Sequence, residues 1–214
     1  MTGGSDPRRY AEASFEVQCD VLIEAVLANP QAGEVMRRAA DMGLPDWALI
    51  AGAIYKPVWS FLTGRDPETG INDYDLAYCD TSDLSWEAED VWIQRCAPVF
   101  ADINREVEVC NQARVPIWFS EKYGVRRDPI HSTREAVAQF ASRSHAIGLT
   151  LDKAGKPHII APYGLDELFS LHAIPFPGIA HPEGWNAKAR ENMAIWPELV
   201  FEMVELQSSE NARA

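Results

Sequence analysis

The 214-residue chain carries 32 Asp and Glu against 19 Lys and Arg, a formal net charge of −13. That balance argues against a protein that grips nucleic acid by its phosphates. With 47% hydrophobic and 24% charged residues the composition is that of an ordinary soluble protein, long enough to bury a core without disulfides or structural metals.

Cys19, Cys79, Cys96 and Cys110 do not stand at metal-ligand spacing, and nothing at the N-terminus has the shape of a signal peptide. The longest apolar run, Trp47 to Tyr55, is too short to span a bilayer. The expectation is a cytoplasmic protein with reduced thiols and no membrane partner.

Residues 1–9 lack periodicity and read as a loose end. Apolar residues at helical spacing predict a helix from about Tyr10 to Leu27, broken by Asn29-Pro30, and a second over Gln31 to Met42. After the turn Gly43-Leu44-Pro45-Asp46, the short apolar run Trp47–Ala51 reads as a buried strand that ends at Gly52. A helix follows over Ala53 to Leu62, despite Pro57. Loop 63–72 leads to a strand over Asp73–Tyr78. Ser85 to Arg95 reads as a helix with acids in its first turn, as the helix dipole favours. Arg105–Cys110 alternates polar and apolar and reads as a strand, followed by mixed turn and helix over Asn111 to Tyr123. Ser132-Thr133-Arg134-Glu135 is a capping box heading a helix to about Ala141. Strands near 146–152 and 157–161 flank a Lys153–Lys156 turn as a hairpin. A short helix over Asp166 to His172, a last helix over Ala187 to Leu206 interrupted near Pro197, and a frayed tail over 207–214 complete the chain.

Within this plan one stretch concentrates charge. Residues 66–90 hold nine Asp or Glu and no Lys or Arg. Asp73 and Asp75, one residue apart on a strand, leave it on the same side, where they repel unless something positive lies between them. A hard divalent cation with oxygen ligands is the usual answer; a solvated strand end is the plain one. Glu108 stands on a further strand between Val107 and Val109, with Glu106 as a rival two residues earlier. Were these strands neighbours, three carboxylates would converge beside a helix preceded by glycine. Such a place suits a nucleoside triphosphate: glycine admits the phosphates, helix amides meet their charge and carboxylates hold Mg2+.

Ala51-Gly52-Ala53, Asp73-Tyr74-Asp75 and Val107-Glu108-Val109 together resemble the signature of the DNA polymerase beta-like nucleotidyltransferase superfamily. More narrowly, Leu49–Ile54, Val58-Trp59, Asn72–Asp80, Asn111–Val115 and Ala161–Phe169 resemble a bacterial family of uncharacterised nucleotidyltransferase-like proteins, over roughly residues 20–200. The resemblance implies an α+β fold: a mixed β-sheet nucleotidyltransferase core with flanking helices (about 44–124), an N-terminal helical segment and a C-terminal hairpin-plus-helix extension (about 125–206), in one domain over 10–206. It implies Asp73, Asp75 and Glu108 as catalytic residues and ligands of Mg2+ (or Mn2+), with Gly52, Ala53, Lys56, Asn111 and Arg114 on the nucleotide. Ala53 departs from the usual Gly or Ser, removing a side-chain phosphate contact. Pro116 stands where the narrower family has His, and Ile174-Pro175-Phe176 where it has Arg-Pro-Asn.

The implied activity moves a nucleoside monophosphate from a triphosphate to a hydroxyl of a small-molecule or protein acceptor and releases pyrophosphate. A metal-dependent glycosyltransferase also uses Asp-x-Asp, but Gly52 and Glu108 favour nucleotidyl transfer. A non-catalytic nucleotide- or partner-binding module is the other alternative. Lys56, before a proline in a helix, is of a kind that commonly faces solvent, and Arg114 could pair with a surface acid. The five histidines show no ligand spacing, and Trp47, Trp59, Trp86, Trp92 and Trp118 read first as core.

Overall fold

A computed structural model of the chain describes residues 6–206. Helix α1 (Phe15–Leu27) starts where the Ser14 side chain accepts the amide of Val17; α2 (Pro30–Met42) starts where Asn29 accepts those of Gln31 and Ala32, with Pro30 in the first turn. Both caps satisfy amides that the helix leaves free, and proline at the first position loses no hydrogen bond. Asn29-Pro30 therefore starts the second helix rather than merely interrupting the first.

β1 (Ala48–Ile50) runs into α3 (Gly52–Thr63), and β2 (Asp73–Tyr78), α4 (Trp86–Cys96) and β3 (Glu106–Asn111) follow. A 3-10 turn over Gln112–Arg114 leads to α5 (Val115–Tyr123) and α6 (Thr133–Ala138). The rest comprises β4 (Gly148–Leu151), β5 (Pro157–Ile160), α7 (Asp166–Phe169), β6 (His172–Ala173), α8 (Pro182–Ile195) and β7 (Val200–Phe201). The five-stranded sheet has the order β3-β2-β1-β4-β5; β2 and β3 are parallel, the other pairs antiparallel. This is the expected mixed sheet with flanking helices.

The two faces of the sheet differ in chemistry. Leu49, Tyr74, Leu76, Tyr78, Val109 and Leu149 enter the main core with residues of α1, α2 and α3. Ala48, Ile50 and Ala77 turn the other way, onto Val137 and Ala146. Helix α3 is the hub: ten of its twelve residues are buried, as expected of a helix apolar on every side. Its Trp59 ring lies 5.5 Å from Trp196 and 6.0 Å from Phe201, so the C-terminal segment closes over it.

Several expected boundaries are corrected. The last helix begins at Pro182 and ends at Ile195, and Val200–Phe201 pairs in parallel with His172–Ala173. Trp196 is fully buried and Pro197 has no amide to continue the helix, so the chain leaves it there. The helix expected to reach His172 stops at Phe169, and Leu171 takes a positive φ of 56° before β6. The helices expected from Tyr10 and as far as Ala141 run from Phe15 and to Ala138. The loose end is partly fixed: Arg8 donates through Nε to the Ser170 carbonyl at 2.8 Å and through Nη2 to that of Glu198 at 3.2 Å. The remainder of that segment, residues 1–5, and the tail 207–214 lie outside the described residues. Trp86 and Trp118, expected in the core, are exposed.

Gly70 ties the β2 approach to the C-terminal segment. At φ 69° it occupies a conformation that favours glycine, and a Cβ there would stand 2.7 Å from Trp196 Cη2. Gly70→Ala is expected to destabilise the fold by about 2–3 kcal/mol. Thermal unfolding should show this as a fall of roughly 4–10 °C; an unchanged midpoint would mean that Trp196 yields freely.

Candidate active site

The register of the parallel pair builds the acidic site. Asp73 lies beside Glu106 and Asp75 beside Glu108, while Ile50 of β1 lies beside Asp75 from the other side. Laterally aligned residues leave a sheet on the same face and alternate along each strand. The four carboxylates therefore share the face of Ile50 and Ala77, opposite the main core. Register also separates the two glutamates, since Glu108 rather than Glu106 stands beside Asp75.

The charges act on one another. Burial first, then Asp73 and Glu108, push the Asp75 carboxyl up to about 6, against the opposing pull of Lys188 and Lys56. Among the described residues, no group of three or more His, Cys, Asp or Glu side chains is disposed to hold a metal ion by itself. The donor chemistry nevertheless fits Mg2+, which commonly takes one or two carboxylates and completes its shell with substrate phosphates and water.

The start of α3 borders this face. Ala51 precedes it at φ 57° without a side-chain cap, a non-glycine strain of about 1–2 kcal/mol. Its carbonyl accepts the amides of Ile54 and Tyr55, and among the described residues the first amides of the helix, at Gly52 and Ala53, have no acceptor. Lys56 is buried, not solvent-facing. It lies back along the helix, and Nζ donates to the Gly70 carbonyl at 2.6 Å. A Cβ on Gly52 would come within 3.2 Å of Lys56 Cε, so the glycine makes room for that side chain. Burial, then Lys188, lower the Lys56 pKa, while Asp73 and Asp75 act to raise it.

Beside the acids opens a cleft of about 790 Å³ that includes Ala51, Tyr55 and Lys188. Lys188 is crowded by protein atoms yet presents its surface to the cleft. Tyr55, first, and then Asp75 and Asp73 raise its pKa against the effect of burial, and it stays charged. His145 is 6% exposed and packs 4.5 Å from the Tyr55 ring; burial and then the two lysines push its pKa down to about 3, so the imidazole is neutral. Sequence reasoning missed Lys188 and His145. Neither belongs to a local motif: Lys188 comes from α8 and His145 from the segment before β4, and only the folded chain brings both to Tyr55.

Asn111 and Arg114 are not brought to the carboxylates. Asn111 alternates with Cys110 and points to the opposite side of the sheet, where its Oδ1 accepts the amides of Asp80 and Ala113 and its Nδ2 donates to the Asp80 carbonyl at 2.9 Å. Arg114 pairs with buried Glu89 of α4 and donates to the Leu84 carbonyl at 3.0 Å. Glu89 also accepts the Asn111 amide at 2.7 Å. Together these contacts form a joint that ties α4 to the end of β3. Asp73, Asp75, Glu108, Gly52, Ala53 and Lys56 remain as the assembled set.

Among solved structures, one described as "The NMR structure of the protein reveals a CCA-adding enzyme head domain" matches with a TM-score of 0.70 and 22% identity, over 91% of this chain and 100% of that one. A second, described as "Structure of tRNA-processing enzyme complex 3", has a TM-score of 0.42 and 13% identity over 78% of this chain and 43% of that one, too distant to carry an argument. No curated protein matches the chain. The fold is that of the head domain in the first of these structures. Residues 37–201, well over half of the chain, match a nucleotidyltransferase family, and the protein belongs to that family. No helix among the described residues is long and apolar enough to cross a membrane.

Proposed function

We propose that the protein transfers a nucleoside monophosphate from a nucleoside triphosphate to a hydroxyl of a small-molecule or protein acceptor. The observation that carries this reading is the β2–β3 register, which sets Asp73, Asp75 and Glu108 on one face next to the free amides of α3. Asp73 and Asp75 would hold Mg2+ (or Mn2+), with Glu108 as a further ligand; when bound, such an ion neutralises phosphate charge and acidifies an acceptor hydroxyl. The amides of Gly52 and Ala53 receive phosphate oxygens, and Lys188 supplies a cation at the mouth of the cleft. Glu108 orients the acceptor hydroxyl and takes its proton. The acceptor oxygen forms a bond to the α-phosphorus, the bond from that phosphorus to the bridging oxygen breaks, and pyrophosphate leaves. Positioning and charge neutralisation do most of the work in such transfers.

A second reading has support of its own. Lys56 and Lys188 already offset the acids, and Ala53 offers no side-chain contact. These features suit a module that binds nucleotide without turnover. One assay separates the two: incubation with α-labelled triphosphates, Mg2+ and pooled acceptors should yield pyrophosphate and labelled product. Saturable binding with no pyrophosphate across the pools would decide for the module.

Gly52→Ala tests the helix start. The added methyl displaces the flexible end of Lys56, so triphosphate affinity should fall about tenfold while the melting midpoint stays within about 2 °C. Fluorescence titration and a thermal scan check both halves.

A further inference from the structure

The cleft beside the acids differs from the rest of this acidic chain. Its lining contains Arg127 and Lys188 but no Asp or Glu, although carboxylates outnumber cations 32 to 19 in the sequence. Aromatic rings form much of the wall: Phe119 and Tyr123 lie 4.6 Å apart, Tyr163 and Phe176 lie 5.0 Å apart, and Tyr123 faces His181 at 5.5 Å. Arg127, from the segment between α5 and α6, stacks 3.7 Å above the Phe119 ring. Among the described residues it has neither an ion-pair partner nor a hydrogen bond, and burial draws its pKa down with no carboxylate acting against that. A half-buried guanidinium held over an aromatic ring, with its donors unpaired among the described residues, is arranged to receive an anion.

A second observation points to a ligand in the same place. His145 lines the cleft, and its Nε2 is buried without a hydrogen-bond partner among the described residues, while Nδ1 is 2.6 Å from Ser142 Oγ and 3.2 Å from Ser144 Oγ. In either tautomer Nε2 is a buried polar atom left without a partner, and such atoms ordinarily find one.

We infer that this cleft is the acceptor subsite and takes a small molecule of mononucleotide size, a flat ring bearing an anionic group, with the ring against the aromatic walls and the anion on Arg127. This rests on the transfer reading above, which already places the triphosphate at the start of α3. The cleft reaches that point through Ala51, Tyr55 and Lys188; an acceptor held by its anion at Arg127 would turn a hydroxyl towards the acids.

Calorimetric titration of the full chain without divalent ions, using AMP and UMP against adenosine and uridine, tests the assignment. At least one monophosphate should bind about tenfold or more tighter than its nucleoside, the value of one charge-assisted contact. Arg127→Gln should remove that difference, and Arg126→Gln, its exposed neighbour, should keep it. Adding Mg2+ and a saturating non-hydrolysable triphosphate should leave monophosphate binding intact. Absence of monophosphate binding at millimolar concentration, or an unchanged preference in Arg127→Gln, overturns the inference. Mutual exclusion with the triphosphate analogue overturns it too, and reassigns the cleft to the triphosphate's own base. Asp75→Asn keeps the two readings distinguishable. If it spares triphosphate binding, the metal reading fails while the cleft result stands.

Discussion

Asp75→Asn is expected to lower metal-dependent triphosphate binding and transfer about a hundredfold or more, while leaving the apo protein's melting midpoint unchanged or higher. The first half follows from position: Asp75 sits between Asp73 and Glu108 on the face that adjoins α3. The second follows from linkage. Its folded pKa of about 6 lies above the ordinary aspartate value of about 3.9. Between those two values the native state binds more protons than the unfolded chain, so stability falls as pH rises from about 4 to about 6 and stays reduced above that. The penalty at about pH 7 is at most about 3 kcal/mol, since solvent reaching the site screens part of it. The asparagine removes the charge and with it the penalty. Melting curves of both proteins should therefore diverge towards neutral pH and converge near about pH 4. A variant that melts several degrees lower at neutral pH would show Asp75 acting as a stabilising partner of the lysines instead.

Glu89→Ala carries the second large effect. Glu89 is 5% exposed, accepts the Asn111 amide and pairs with Arg114. Removing it strands a largely buried guanidinium and an unpaired amide, which should cost about 3 kcal/mol and lower the midpoint by roughly 6–12 °C. The double variant Glu89→Ala with Arg114→Met should recover part of that loss, because no unpaired charge remains. A midpoint within a degree of the parent for Glu89→Ala would reopen the phosphate-contact role for Arg114. A rise in nucleotide KM in Arg114→Met, with stability intact, would argue the same way.

Much of the frame was legible in the residues. Alternation over Asp73–Tyr78 marks a strand whose bounds match the folded one, and the capping box at Ser132–Glu135 heads a helix as its side chains allow. These features depend on neighbours within a few positions, and local chemistry suffices for them. The same holds for the pairing of Asp73 with Asp75, because period two sets their common face without reference to the rest of the chain.

Other features needed contacts distant in sequence. Period two gives Glu106 and Glu108 equal claims, and only the register against β2 sets Glu108 beside Asp75. Val200–Phe201 is too short to signal a strand; it becomes one because β6 offers a partner. Lys56 is buried because the C-terminal segment closes over α3, although its own neighbours look like those of a surface lysine. Asn111 and Arg114 satisfy a family pattern, yet sheet alternation turns Asn111 to the far side and the 3-10 turn after it carries Arg114 to Glu89. Lys188, His145 and Arg127 are single polar residues, and no local spacing distinguishes them. Local pattern thus determined the helices, the strands and the acidic pair. Tertiary packing decided which charges meet and which residues line the cleft, because burial and electrostatic pairing depend on what the whole chain brings together.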